Sequence, residues 1–240
     1  HGSGRIPRNI WRLKNLIELD YSYNVIPPQF VRVFCKTFLP STIKFLNVSN
    51  CFELDKQSQT LPPAFQFVIK HLYKSANIWG LEIRSNIPQK TDFSTKFDEL
   101  FTYLIKMKSI EHLDIGGHRW LNTFGSEKLI EKLRQMTNLK YLNIEGAGFT
   151  EIDPLLQFYY SILNQMNLEG INLPSGDIDY ISKHSDVQSQ INGMNESDSY
   201  KNLKDKMKNK TFPSTRVQRS CYYMRYTDMT KIPEFLTKFP

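Results

Sequence analysis

The chain is predicted to be an α/β array of stacked units, with a parallel sheet on one face and return helices on the other. Three observations predict this. A short phrase with apolar residues at positions one, four and six returns six times in 240 residues. The intervals between copies are too long for bare loops, and each interval carries an amphipathic helical pattern.

The copies, in order, are Leu16-Leu19-Tyr21, Ile43-Leu46-Val48, Ile78-Leu81-Ile83, Ile110-Leu113-Ile115, Leu139-Leu142-Ile144 and Leu168-Ile171-Leu173. Three residues further on stand Asn24, Cys51, Asn86, His118, Ala147 and Gly176. The first apolar residue advances by 27, 35, 32, 29 and 29 positions. Shorter repeat classes have periods of roughly 20 to 24 residues, so a helix must fill each return. The predicted helices are 29–38, 64–76, 97–108, 126–136 and 154–166. In the second, Phe65, Val68, Ile69 and Leu72 fall on one helical face, and in the fourth Leu129, Ile130 and Leu133 do the same. Ser126 ahead of Leu129, and Asp153 followed by Pro154, read as helix starts.

This phrase resembles the leucine-rich repeat family, and the units of about 29 residues with helical returns resemble its ribonuclease-inhibitor-like subclass. The resemblance runs over about seven tenths of the chain, from Ile6 to Ser175. It implies a horseshoe solenoid with a concave parallel sheet, convex helices and a protein-binding role. Asn24, Cys51 and Asn86 match the turn position of the family, whereas His118, Ala147 and Gly176 depart from it. The opening Ile6-Pro7-Arg8-Asn9-Ile10-Trp11 is echoed by Met229-Thr230-Lys231-Ile232-Pro233. With Tyr222 and Met224 as a strand, residues 219–240 are expected to form a seventh unit and begin another. The expected organisation is then a cloning scar over 1–4, repeats over 5–175, a polar lysine-rich insertion over 176–218 and the last unit, all part of a longer protein.

Charge is concentrated in that insertion and just beyond it. From Tyr200 to Arg225, Lys201, Lys204, Lys206, Lys208, Lys210, Arg216, Arg219 and Arg225 face Asp205 alone, a balance of +7 that equals the net charge of the chain. With Tyr222, Tyr223 and Tyr226 nearby, this stretch has the chemistry to pair phosphates and stack bases, so nucleic acid or an acidic membrane is a second possible partner; a solvated linker is the plainer account. No apolar run approaches the roughly 18 residues of a membrane span. Cys35, Cys51 and Cys221 are odd in number and widely spaced. That points to a reducing, intracellular (cytoplasmic or nuclear) setting. Sequons begin at Asn47, Asn195 and Asn209. A polar, asparagine-rich chain produces such triplets by chance.

Strand alternation assigns the functional surface. Residues flanking the second and third apolar positions point away from the core. The expected partner-contacting set is Asp20, Phe45, Asn47, Glu82, Arg84, His112, Asp114, Tyr141, Asn143, Glu145 and Asn172. Within it, Asp20, Asn47, Glu82, Asp114, Asn143 and Asn172 form one column of acids and amides. The column reads either as a track for a basic or hydrogen-bonding protein or as an ordinary solvated strand face. Phe45 and Tyr141 are the aromatic anchor candidates, with Phe45 equally suited to tuck under the first return; Trp11, Trp79 and Trp120 read as packing residues.

Chemistry is sparse. His112 and Asp114 share a strand face, with Glu111 opposite, and could orient a general base, but no nucleophile is placed beside them; Ser49 and Arg84 lie on other strands. His71, His118 and His184 match no metal spacing. Gly116-Gly117 and Gly146-Ala147-Gly148 read as strand-to-turn bends and not as a phosphate cradle. The expectation is therefore a recognition module or scaffold, not an enzyme, with no cofactor and no metal. The family also implies a third possibility, an accessory part of an enzyme such as a ubiquitin ligase or a GTPase regulator.

Overall fold

The computed structural model describes residues 16–38, 42–52, 62–74, 78–84, 93–117, 125–149 and 151–172, together with Asp177, Ile181 and Asp205. Among these residues six strands alternate with five α-helices, the first preceded by a 3-10 turn (Pro28–Phe30): β1 (Glu18–Asp20), α1 (Val31–Phe38), β2 (Phe45–Asn47), α2 (Pro63–Tyr73), β3 (Gly80–Glu82), α3 (Phe93–Leu104), β4 (His112–Asp114), α4 (Gly125–Arg134), β5 (Tyr141–Asn143), α5 (Ile152–Gln165) and β6 (Gly170–Ile171). The sheet order follows the chain, β1 to β6, and every pairing is parallel. A strand that returns through a helix to lie beside its predecessor, unit after unit, is the arrangement the six-fold phrase predicts.

The register is uniform. Leu19, Leu46, Leu81, Leu113, Leu142 and Ile171 stand in one row across the sheet. With Ile43, Ile78, Ile110 and Leu139 at the strand approaches, they join a single buried core with the inner faces of the helices. Phe65, Val68, Ile69 and Leu72 of α2 and Leu129, Ile130 and Leu133 of α4 are all buried, as their spacing predicts. Cys35 and Cys51 are buried, and desolvation pushes each thiol up to about 12.

Each strand opens in the same way. The carbonyls of Ile17, Lys44, Trp79, Glu111 and Lys140 each accept two successive N–H groups of the next unit, at 2.8–3.1 Å. The ladder then runs past the assigned strands, with Val48, Ile83 and Ile115 N–H donating to Glu82, Asp114 and Asn143 carbonyls at 2.9 Å. A left-handed corner follows four residues after the central core position: Tyr23 (φ 60), Asn50 (φ 55), Gly117 (φ 73) and Gly146 (φ 78). The glycines expected to bend the chain at 117 and 146 do so, because left-handed backbone costs a residue with a Cβ about 1–2 kcal/mol.

Helix starts are where the sequence expectation needs correction. α4 begins at Gly125, so Ser126 lies inside it. α5 begins at Ile152 after an extended Glu151 with no side-chain cap, so Asp153 is not the cap and Pro154 sits at the third helical position. Proline is tolerated there because first-turn N–H groups have no intrahelical acceptor. The predicted α3 starts four residues late, against Phe93 in the structure. Residues 1–15, the insertion apart from Asp177, Ile181 and Asp205, and the proposed seventh unit, with Trp11, Asn86, His118, Trp120, Gly176, His184, Asn195, Asn209 and Cys221, lie outside the described residues. Among the described residues no helix is long and apolar enough to cross a membrane.

Candidate functional site

The sheet face opposite the helices carries two rows of side chains, one on each side of the core row. The first is Glu18, Phe45, Gly80, His112, Tyr141 and Gly170; the second is Asp20, Asn47, Glu82, Asp114 and Asn143.

The first row is an aromatic ladder. The Phe45 ring lies across Gly80, where a Cβ would overlap its Cδ2 atom. Glycine at this position lets the ring cover β3 and come within 5.6 Å of the His112 ring, centroid to centroid. Trp79 stands 5.6 Å from Phe45 and 6.2 Å from His112, and Tyr141 stands 6.5 Å from His112. Of the two readings of Phe45, anchor or tucked-in packing residue, the structure has the second: it is only 2% exposed because these rings enclose it. Trp79 and Tyr141 keep part of their surface in solvent. The Tyr141 hydroxyl donates to Glu169 at 2.6 Å, which holds the phenol above its usual range.

The second row was expected to lie open along its length. Instead Asn47, Glu82, Asp114 and Asn143 are buried; Asp20 is exposed and Asn172 half-buried. Two kinds of bond close the row. Asp20, Asn47, Asp114 and Asn143 each accept, on a side-chain oxygen, the N–H two residues ahead (Ser22, Ser49, Gly116 and Glu145) at 2.9–3.0 Å. This local turn is characteristic of Asp and Asn, whose short side chains reach their own backbone. It accounts for the repeated acid or amide without any ligand. Glu82 interrupts the pattern, and the N–H of Arg84 donates to Ser49 Oγ at 3.0 Å.

Bonds between units complete the closure. Asp114 Oδ2 accepts from Asn143 Nδ2 at 2.9 Å and from Arg84 Nη1 at 3.3 Å. The guanidinium reaches that carboxylate over Gly116, where a Cβ would stand 3.2 Å from Arg84 Cζ. Glu82 and Asp114 face each other in register, a like-charge pair on adjacent strands. Burial, opposed by Arg84 and reinforced by Glu82, raises the Asp114 carboxyl to about 6. His112, which the sequence reads as a satisfied histidine sooner than as a partner of Asp114, has Glu82 Oε1 3.4 Å from its Nε2. The sequon at Asn47 is sterically closed, since that side chain is buried and bonded to Ser49.

Asp177 is a site residue the repeat phrase could not reveal. It is buried beyond the last strand, where its Oδ2 accepts from Gly146 N–H at 2.8 Å and the Ala147 and Gly148 N–H groups also turn towards it. Burial raises its carboxyl despite these donors. The nearby Tyr159 hydroxyl is fully buried, which pushes the phenol well above its ordinary value. Its sequence offers no signal for this role, because no earlier unit places an acid six residues past the central core position.

The open part of the face therefore includes Glu18, Asp20, Arg84, Trp79, Tyr141, Glu145 and Asn172. Lys201, Lys204, Lys206, Lys208, Lys210, Arg216 and Arg219 lie outside the described residues. Among the described residues no group of three or more His, Cys, Asp or Glu side chains is arranged to hold a metal ion.

No family model matches the chain, and no curated protein does. Among solved structures, the chain is similar to leiomodin-1 actin-binding site 2, with 13% identity and a TM-score of 0.45, over 77% of this chain and 94% of that one.

Proposed function

We propose that the chain is a leucine-rich repeat array of horseshoe form, resembling the ribonuclease-inhibitor-like subclass, that recognises a protein on its concave sheet face and carries no catalysis of its own. The observation that supports this most is the in-register aromatic row beside a row of acids and amides. Buried Phe45 and His112 fix the half-exposed rings of Trp79 and Tyr141 in place. Rigid aromatic side chains that need little ordering on contact are favourable anchors. Glu18, Asp20 and Glu145 give the open surface its acidic members, which suits a partner with basic side chains. The setting proposed for this interaction is intracellular.

The test uses charge reversal only where the fold does not depend on the carboxylate. Asp20→Lys, Tyr141→Ala and Glu145→Lys in one chain should leave the far-ultraviolet circular dichroism unchanged and abolish capture of a specific protein from a matched extract. Neutralising Lys201, Lys204, Lys206, Lys208 and Lys210 should leave that capture intact. Equal capture by the reversed chain would remove the sheet face from the account; loss only with the lysine variant would move recognition to the basic segment.

A further inference from the structure

We propose that the outer surface formed by α1, α2 and α3 docks onto an anionic lipid surface. This goes beyond the protein-recognition reading and concerns the opposite face of the sheet. The three helices each follow a parallel strand, pack as neighbours and run in the same direction. Arg32 and Lys36 on α1, Phe67, Lys70 and Lys74 along α2, and Tyr103 and Lys106 after it fall at three- and four-residue spacings, so each set shares a stripe. The cations on these stripes are exposed. They interleave with rings of the adjoining unit: Arg32 Cζ lies 6.0 Å from the Phe67 centroid, Lys70 Nζ 5.6 Å from Tyr103, and Lys106 Nζ 5.7 Å from Tyr73. Tyr73 and Tyr103 are themselves 6.1 Å apart.

Among the described residues of this surface the acids are Asp98 and Glu99. Glu99 lies 3.9 Å from Lys70, and Asp98 is drawn to Lys128 and Lys132 of α4 at 2.8 and 3.2 Å. Cations near helix C-termini also offset the helix dipole, and that alone would explain Lys36, Lys70 and Lys74. It does not explain Arg32 in the first turn of α1, nor the exposed apolar side chains on the same surface: Val33 at 53%, Tyr73 at 40% and Phe67 at 37%. A bilayer interface accommodates both classes at once, aromatic and aliphatic groups at the headgroup level and lysines or arginines against anionic lipid. Single-stranded nucleic acid fits less well, because it binds in a groove with free ring faces and here cations already lie against the rings.

Flotation of the whole chain with vesicles tests this. Binding is expected with phosphatidylcholine vesicles carrying roughly 30% phosphatidylserine, absent with phosphatidylcholine alone, and weakened by salt. The variant Arg32→Gln/Lys70→Gln/Lys106→Gln should reduce partitioning roughly a hundredfold at low salt, taking about a tenfold loss for every 1.4 kcal/mol. Phe67→Ser/Tyr73→Ser should reduce it at least severalfold at every salt concentration. Neutralising Lys201, Lys204, Lys206, Lys208 and Lys210 should leave the larger part of the binding. The substituted side chains of the helix face, Arg32, Phe67, Lys70, Tyr73 and Lys106, are exposed, so unchanged circular dichroism is expected of those variants. The proposal is overturned by no binding to phosphatidylserine vesicles, by full binding of either helix-face variant, by loss with the 201–210 variant alone, or by binding of a single-stranded oligonucleotide but not of vesicles.

Discussion

Asp20 and Asp114 occupy the same position of the same repeated phrase, and their surroundings differ completely. Both accept the N–H two residues ahead at 2.9 Å. At β1, Asp20 stays in solvent and also accepts from Ser22 Oγ at 2.6 Å. At β4, Asp114 is enclosed by β3 and β5 and bonded to Arg84 and Asn143, 30 residues before it and 29 after. The local turn is thus a property of the phrase, whereas burial is a property of the position in the stack. A column of polar residues on a repeat face is structural where neighbours on both sides close over it and available where the stack ends.

The largest effect that can test this contrast lies in the core row. Leu113→Ala, in the middle of the sheet, should cost roughly 3–5 kcal/mol in chemical denaturation, and Leu19→Ala, at the partly open end, roughly half as much. Equal losses would mean that the end unit is packed as fully as the middle.

Next comes the polar row. Asp114→Ala removes the acceptor of Arg84 Nη1, Asn143 Nδ2 and the Gly116 N–H, and should destabilise by about 2–4 kcal/mol, against about 0.5–1 kcal/mol for Asp20→Ala. Urea midpoints at pH 7 for the two variants decide between this and an evenly exposed column.

The pH dependence sharpens the same point. The folded carboxyl of Asp114 is raised to about 6, so between its ordinary value and about 6 the folded state holds a proton that the unfolded state has released. Its contribution to stability is full below the ordinary aspartate range and is lost as pH rises through about 6. The thermal midpoint should therefore fall between about pH 4 and pH 6.5 on account of this group, and Asp114→Asn should flatten that part of the profile. A wild-type profile parallel to that of the Asn variant would assign the slope to other groups.

The smallest effect concerns the left-handed corner. Gly146→Ala would place a Cβ 3.0 Å from Gly117 Cα at φ 78, and should cost about 1–2 kcal/mol. Tyr23→Gly at the exposed equivalent corner should change stability by less than about 0.5 kcal/mol, since relief of strain offsets the added chain entropy.

Strand existence, order and register were legible because the phrase repeats with side-chain spacing fixed by a pleated backbone. Helix faces were legible from Phe65-Val68-Ile69-Leu72 and Leu129-Ile130-Leu133. Helix starts were not, because α5 begins without a side-chain cap and Pro154 is equally compatible with the first and third helical positions. The site was legible as a face but not as a surface. Whether Asn47 or Glu82 sees solvent depends on side chains about 30 residues away in both directions, and no local pattern reports that. Phe45 shows the same limit, since its burial follows from Gly80, Trp79 and His112 on neighbouring units. Asp177 escaped notice because it reaches back to Gly146 from beyond the last copy of the phrase.

The most direct test of the closed central face is a carbon-13 carboxyl titration of Asp114 by NMR, assigned through Asp114→Asn. A midpoint near 6 is expected if β3 and β5 close over the carboxylate. A midpoint in the ordinary aspartate range, about 3.9, would show the column open to water and return its buried members to the set available for a partner.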